Sequence, residues 1–322
     1  MSPAEVYEHL AGLLHPQSSS STSRHRSSSE ISDGLKRIRR SVLTEGIPEV
    51  HGRPSLRPRI WKLMLKVESL NTEDYLRYVS MGPSDVSTKI KNDTFRTLAT
   101  DTQFKGKVKE DMLIRLLEAF VWKNHGSERD GLPFTYVQGM NVLSAPFLYT
   151  MPSQLEAFAC FSTFIEHSCP LYVQPTLVGV HRGLKGWLAE PLPAARSVFE
   201  DCRLGAVRSS PEQKPLGRAL RVPIGTHPLR VHTAPRGGTA TMGVAVDSRS
   251  FLLSFGVHLN ILCVIAQLLL MRQDLMDSPS PMKILRTFPP LDARPVIGVT
   301  VALVKDIPED LYRELVAHPF AS

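Results

Sequence analysis

Apolar positions recur at helical spacing along most of the chain. Leu35, Ile38, Val42 and Leu43 share one face, with Asp33 as a possible N-cap and Gly46-Ile47-Pro48 ending the run. A second helix is predicted over Leu56–Lys66, with Pro58 in the first turn, where its missing N–H costs nothing. Thr88–Ala99 and Asp111–His125 predict two more. In the latter, Met112, Leu113, Leu116, Leu117, Phe120 and Val121 form a wide apolar stripe. Leu132–Thr150 turns helical near Gln138. Ser153-Gln154-Leu155-Glu156 is a capping box that opens a helix to His167, with an aromatic face of Phe158, Phe161 and Phe164. Residues 251–276 predict a helix or helix pair, and Pro308–Ala317 a final amphipathic helix. Only Val296–Val304 looks β-like. The expected class is all-α.

Two stretches break this pattern. Ser18–Glu30 is low-complexity and cannot bury enough to order itself. Residues 1–31 are therefore expected to be a disordered Ser-rich tail, with two weak helical turns at Glu5–Leu14. Gly186–Ser250 holds seven Pro and seven Gly in 65 residues and keeps neither a helical nor a strand period. A structureless loop of that length contradicts a compact domain. Its Arg-, Pro- and Gly-heavy composition is what an out-of-frame reading or a retained intron in GC-rich coding sequence would give. The expected organisation is a tail over 1–31, a helical part over 32–185, an anomalous segment over 186–250 and a second helical part over 251–322.

Length and composition then set limits. With 322 residues and 42% hydrophobic content, the chain can bury a sizeable core. The formal charge of +7 first suggests an acidic partner. However, residues 186–250 hold nine basic and five acidic residues, so more than half of that excess sits in the anomalous stretch. No basic face interleaved with aromatics remains, and a nucleic-acid partner is not expected. Cys160, Cys169, Cys202 and Cys263 form no CxxC pair, so neither a disulfide framework nor a zinc site is expected. The first residues show no secretory signal. The apolar run Val257–Met271 is too short for a membrane span and is interrupted by His258, Asn260 and Gln267. The chain reads as cytosolic or nuclear, with no membrane insertion.

Three short clusters carry candidate chemistry. In Arg57-Pro58-Arg59-Ile60-Trp61, Arg57 and Trp61 share a helix face; alone, this reads as a helix with one core Trp. In Ile90-Lys91-Asn92-Asp93-Thr94-Phe95-Arg96, Asp93 neighbours Arg96; alone, this reads as a surface ion pair worth a few tenths of a kcal/mol. In Tyr136-Val137-Gln138-Gly139-Met140-Asn141, an amide sits beside a Gly between a loop and an apolar helix. Gln138 there either faces a partner or satisfies a helix N-terminus. No GxxxxGK[ST], HExxH or GxSxG motif appears, and no cofactor is expected.

Taken in order, Arg-x-x-x-Trp, Ile-x-x-Asp-x-x-Arg and Tyr-x-Gln resemble the motif set of the TBC-domain GTPase-activating proteins. The wording over roughly residues 34–185 and 251–318 is most similar to the fungal mitotic and spindle-position checkpoint branch, the "budding uninhibited by benzimidazole" type. The resemblance implies a TBC-type helical domain that activates a small Ras/Rab-like GTPase in its GTP-Mg form, in mitotic exit or septation. Arg96 would be the arginine finger, Gln138 the glutamine finger, Asp93 the residue positioning Arg96, and Tyr136 a shaper of that neighbourhood. Arg57 and Trp61 would be structural supports. The resemblance also implies a scaffold subunit and a place at the spindle pole body. The chain would have no nucleotide site and would not itself be an enzyme. The alternative is a catalytically impaired TBC-like module that docks a GTPase or scaffold subunit.

Overall fold

The computed structural model describes residues 1–14, 28–99, 101–126, 128–129, 132–174, 179, 241–281, 283–284 and 291–320. Among these residues the chain is helical, with a single two-residue antiparallel ladder pairing Glu128–Arg129 with Leu132–Pro133.

Helices α1 (Pro3–Leu14) and α2 (Ser28–Thr44) pack on α3 (Arg57–Leu65). Val6, Tyr7 and Leu10 of α1 meet Ile38 and Val42 of α2 and Ile60 of α3 in one buried cluster. The expected disordered tail is corrected here at both ends. Residues 1–14 hold a packed helix because three apolar side chains fall on one face, and Tyr7 donates to the Pro54 carbonyl at 3.0 Å. Helix α2 already runs from Ser28, so Asp33 lies inside it, paired with Lys36 at 3.1 Å, rather than capping it. Residues 15–27, most of the Ser-rich tract, lie outside the described residues.

The largest core gathers α3, α4 (Thr72–Ser80), α5 (Ser87–Thr94), α7 (Glu110–Lys123), α8 (Met140–Thr150) and α9 (Gln154–Ser168), with α6 (Thr102–Lys107) closing one side through Phe104. Leu113, Leu116, Leu117 and Phe120 of α7 are all buried, as their stripe predicts. Trp61 meets Phe147 edge-on at 5.4 Å, and Phe120 meets Phe161 at 5.3 Å. Helices α4 and α6 are not among the predicted helices, and both open on side-chain caps. Asn71 accepts from the Asp74 N–H at 3.0 Å, and Asp101 from the Phe104 N–H at 2.9 Å. Ser153 accepts from the Glu156 N–H, as the capping box predicts.

A second core joins α10 (Thr241–Phe255), α11 (Asn260–Leu270), α13 (Ala293–Lys305) and α14 (Glu309–Ala317); α12 (Arg272–Asp277) follows α11. Two expectations are corrected here. Val296–Val304 is not a strand. It lies within α13, which buries Val296, Thr300 and Leu303 at helical spacing, so tertiary packing overrides the β propensity of its Val and Ile. Residues 241–250 of the expected anomalous segment form the first two-thirds of α10, and Ala245, Val246, Ser248, Arg249 and Ser250 are buried. The pattern hid this helix because polar side chains hold half of its buried positions. Residues 186–240 lie outside the described residues.

Candidate functional site

The site is built where α5 ends. Ile90, Asp93 and Thr94 face inward, and the chain stays helical through Phe95. Thr97 is buried again, so two exposed side chains, Phe95 and Arg96, stand between buried anchors. Leu98 then takes a left-handed backbone (φ 46°), unusual for a non-glycine residue, and packs on the main core.

Asp93 organises this corner. One carboxylate oxygen pairs with the Arg96 guanidinium, and the other accepts the Tyr136 hydroxyl at 2.8 Å. Its backbone carbonyl accepts from the Thr97 hydroxyl at 2.8 Å and from the Asn141 amide at 3.2 Å. The Asn141 amide also donates to the Thr97 hydroxyl at 2.7 Å. The Asp93 side chain is 8% exposed and that of Arg96 is 59% exposed. A carboxylate fixed inside the fold thus holds a guanidinium that faces outward. The pair adds little stability, because its cationic half is solvated. It limits where the guanidinium can point.

Burial raises the Tyr136 phenol above its ordinary value of 10.0; the hydrogen bond to Asp93 and that carboxylate's charge push the same way, with Arg96 opposing. Tyr136 is therefore a permanent donor to Asp93 at neutral pH.

Gln138 is exposed, in the turn just before α8. Gly139 caps that helix with a left-handed backbone (φ 109°), a conformation that a Cβ would strain. Its N–H donates to the Asn141 side-chain oxygen at 3.1 Å. Asn141 therefore ties the turn carrying Gln138 to the loop carrying Arg96. An amide in that place can donate to and accept from one water at once.

Arg96, Asp93 and Tyr136 are thus in direct contact, and Gln138 joins them through Gly139 and Asn141. Arg57 and Trp61 stand apart. Buried Arg57 donates to Asp247 at 2.8 Å, to Ser250 at 3.0 Å and to the Ile47 carbonyl at 2.9 Å. The Trp61 indole donates to Ser250 at 2.9 Å. Both clamp α3 onto α10. Asn141 and Thr97 are the residues that sequence reasoning missed. The available signal was an Asn within the otherwise apolar start of α8. Among the described residues, no group of three or more His, Cys, Asp or Glu could hold a metal ion, and no helix is long and apolar enough to cross a membrane.

A family model for the Rab-GTPase-TBC domain matches residues 54–194, which include all six residues named from the motifs. Cell division control protein 16 of Schizosaccharomyces pombe is 39% identical over 289 residues, covering 89% of each chain. The mitotic check point protein BUB2 of Saccharomyces cerevisiae is 31% identical, covering 89% of this chain and 92% of its own. Among solved structures, the Ypt/Rab-GAP domain of Gyp1p shares the fold with a TM-score of 0.63 at 16% identity, covering 97% of this chain and 100% of its own.

Proposed function

The chain belongs to the TBC-domain family of Rab GTPase-activating proteins, and from that premise we propose that it activates a small Ras/Rab-like GTPase in the control of mitotic exit or septation. GTP and its Mg²⁺ arrive bound to the partner. Arg96 enters the partner's site as an arginine finger and neutralises charge developing on the phosphate oxygens. Gln138 orients the attacking water through its amide. Asp93 fixes the direction of Arg96, and Tyr136 fixes Asp93. Arginine suits this role because its guanidinium is planar, always charged and able to bond in a fork. Such a finger supplied in trans raises kcat by about 10³–10⁵-fold.

The observation that carries this reading is the asymmetry of the Asp93–Arg96 pair, an anchored carboxylate beneath an outward-facing guanidinium. The relatives named as cell division control and mitotic check point proteins support the cellular setting. In that setting the chain works in the cytoplasm and at the spindle pole body with a scaffold subunit, and contributes side chains rather than a nucleotide site.

The test is single-turnover GTP hydrolysis by a panel of Ras-like GTPases, with the full chain added. Wild type accelerates one of them. Arg96→Ala abolishes the acceleration and leaves GTPase binding intact, and Gln138→Ala lowers the plateau rate by about a hundredfold or more. Unchanged stimulation by Arg96→Ala refutes the finger.

A further inference from the structure

Phe95 is exposed at 75%, the highest value among the large hydrophobic side chains described. Nothing in the fold needs it there. Its backbone continues α5, with its N–H bonded to the Lys91 carbonyl at 3.1 Å, and a polar residue would serve that geometry equally well. Leaving a phenylalanine in water forgoes the transfer free energy that burial would give. Its position is also constrained on both sides. Asp93 is held by Tyr136 and Asn141, and Thr97 is held by Asp93 and Asn141, so Phe95 and Arg96 are carried as one rigid unit. Whatever surface meets Arg96 therefore meets Phe95 as well. The residue one turn back on its face is Lys91, also exposed, which gives the unit an apolar centre with basic flanks.

We propose that Phe95 is the apolar anchor of GTPase docking: its ring is buried in an apolar depression on the GTPase beside the bound nucleotide and strengthens association, while Arg96, placed by Asp93, reaches the phosphates. The occupant is the GTPase, because the same two-residue unit carries the finger. This inference rests on the activator reading above. Aromatic side chains suit the task, since they bury a large area at low cost in rotamer entropy and dominate the central contacts of interfaces. Arg96 acts on the transition state and Phe95 on association, so the two separate kinetically.

The experiment is the rate of single-turnover GTP hydrolysis against concentration of the full chain, for wild type, Phe95→Ala, Phe95→Leu and Arg96→Ala. Phe95→Ala raises the half-saturating concentration by about tenfold or more, as expected for truncating a central interface aromatic, and leaves the plateau rate within about twofold. Phe95→Leu recovers much of the loss. Arg96→Ala removes the plateau while its binding to the GTPase is unchanged. Because the Phe95 ring is exposed, the thermal midpoint of Phe95→Ala matches wild type, which separates a docking defect from misfolding. A Phe95→Ala curve that overlays wild type overturns the anchor and leaves the activator reading standing. A lowered plateau at unchanged half-saturation also overturns it. A wild-type curve that is flat for every GTPase overturns the activator reading and this inference together.

Discussion

The Tyr136 hydroxyl donates to one oxygen of Asp93 at 2.8 Å, and the other oxygen of that carboxylate meets the Arg96 guanidinium. One buried carboxylate therefore links the buried phenol to an exposed cation. Without the phenol hydroxyl, Asp93 loses a donor inside the fold and can rotate away from Arg96.

Tyr136→Phe isolates this step, because it keeps the ring in the core and deletes only the hydroxyl. The plateau rate of stimulated GTP hydrolysis is expected to fall by about tenfold to a hundredfold, the cost of misplacing a catalytic group by about an ångström. Stability falls by about 1–3 kcal/mol, because a buried carboxylate oxygen is left unpaired. The half-saturating concentration of the chain stays near wild type. Hydrolysis rates and urea midpoints measured on the same preparation check both; an unchanged plateau overturns the positioning role.

This relationship also marks where sequence reading ends. Asp93 and Arg96 are three positions apart, so helical geometry alone makes them neighbours. Tyr136 is 43 positions from Asp93, and no local rule brings them together. The long stripes of α7 and α9 were legible because an apolar face repeated over several turns leaves only one way to bury itself. Helices α10 and α13 were not. In α10 the buried positions are shared with Ser248, Arg249 and Ser250; Arg249 meets the Phe147 and Phe164 rings of α8 and α9, and Ser250 meets Arg57 and Trp61 of α3. In α13 the Val-rich run carries two periods at once, and only the neighbouring helices select between them. Asn141 was visible as a polar residue at the head of an apolar helix, but its partners Asp93, Thr97 and Gly139 could not be read from the chain.

The His258 imidazole is expected to make the fold acid-sensitive. Burial lowers it from 6.5 to about 4, and the Tyr312 ring lies nearly perpendicular to it, with centroids 6.0 Å apart. A group depressed in the folded state stabilises the fold fully above its unfolded value. That contribution is lost as pH falls from about 6.5 through 4. At most about 3 kcal/mol is at stake, the full shift between the two values. Urea unfolding between pH 7.5 and 4 is expected to show a smaller fall for His258→Gln than for wild type, the carboxylates contributing equally to both. Parallel curves overturn it.

The Ser250 hydroxyl uses its whole hydrogen-bonding capacity. It accepts from Arg57 at 3.0 Å and from Trp61 at 2.9 Å, and donates to the Val246 carbonyl at 2.9 Å. Ser250→Ala leaves the buried indole N–H without its acceptor. The expected loss is about 1–3 kcal/mol of stability with the plateau rate of activation within about twofold of wild type. Thermal midpoint and hydrolysis rate together test it. A lost plateau at unchanged stability would move Ser250 from the frame of the domain to its site.

The same bonds bear on the anomalous segment. Asp247 and Ser250 satisfy Arg57 and Trp61 from 189 to 193 positions away, and Arg249 places its guanidinium 4.8 Å from the centre of the Phe164 ring. An arbitrary reading frame does not supply an acceptor for a buried arginine, an acceptor for a buried indole and a cation over an aromatic face within four residues. These contacts place any break in frame or retained intron upstream of Asp247. Sequencing the transcript across residues 180–255 is expected to place the discontinuity before codon 247, with codons 247–255 unchanged. Peptides covering residues 195–240 in a digest of the native protein overturn it, because they show that stretch to be translated as written.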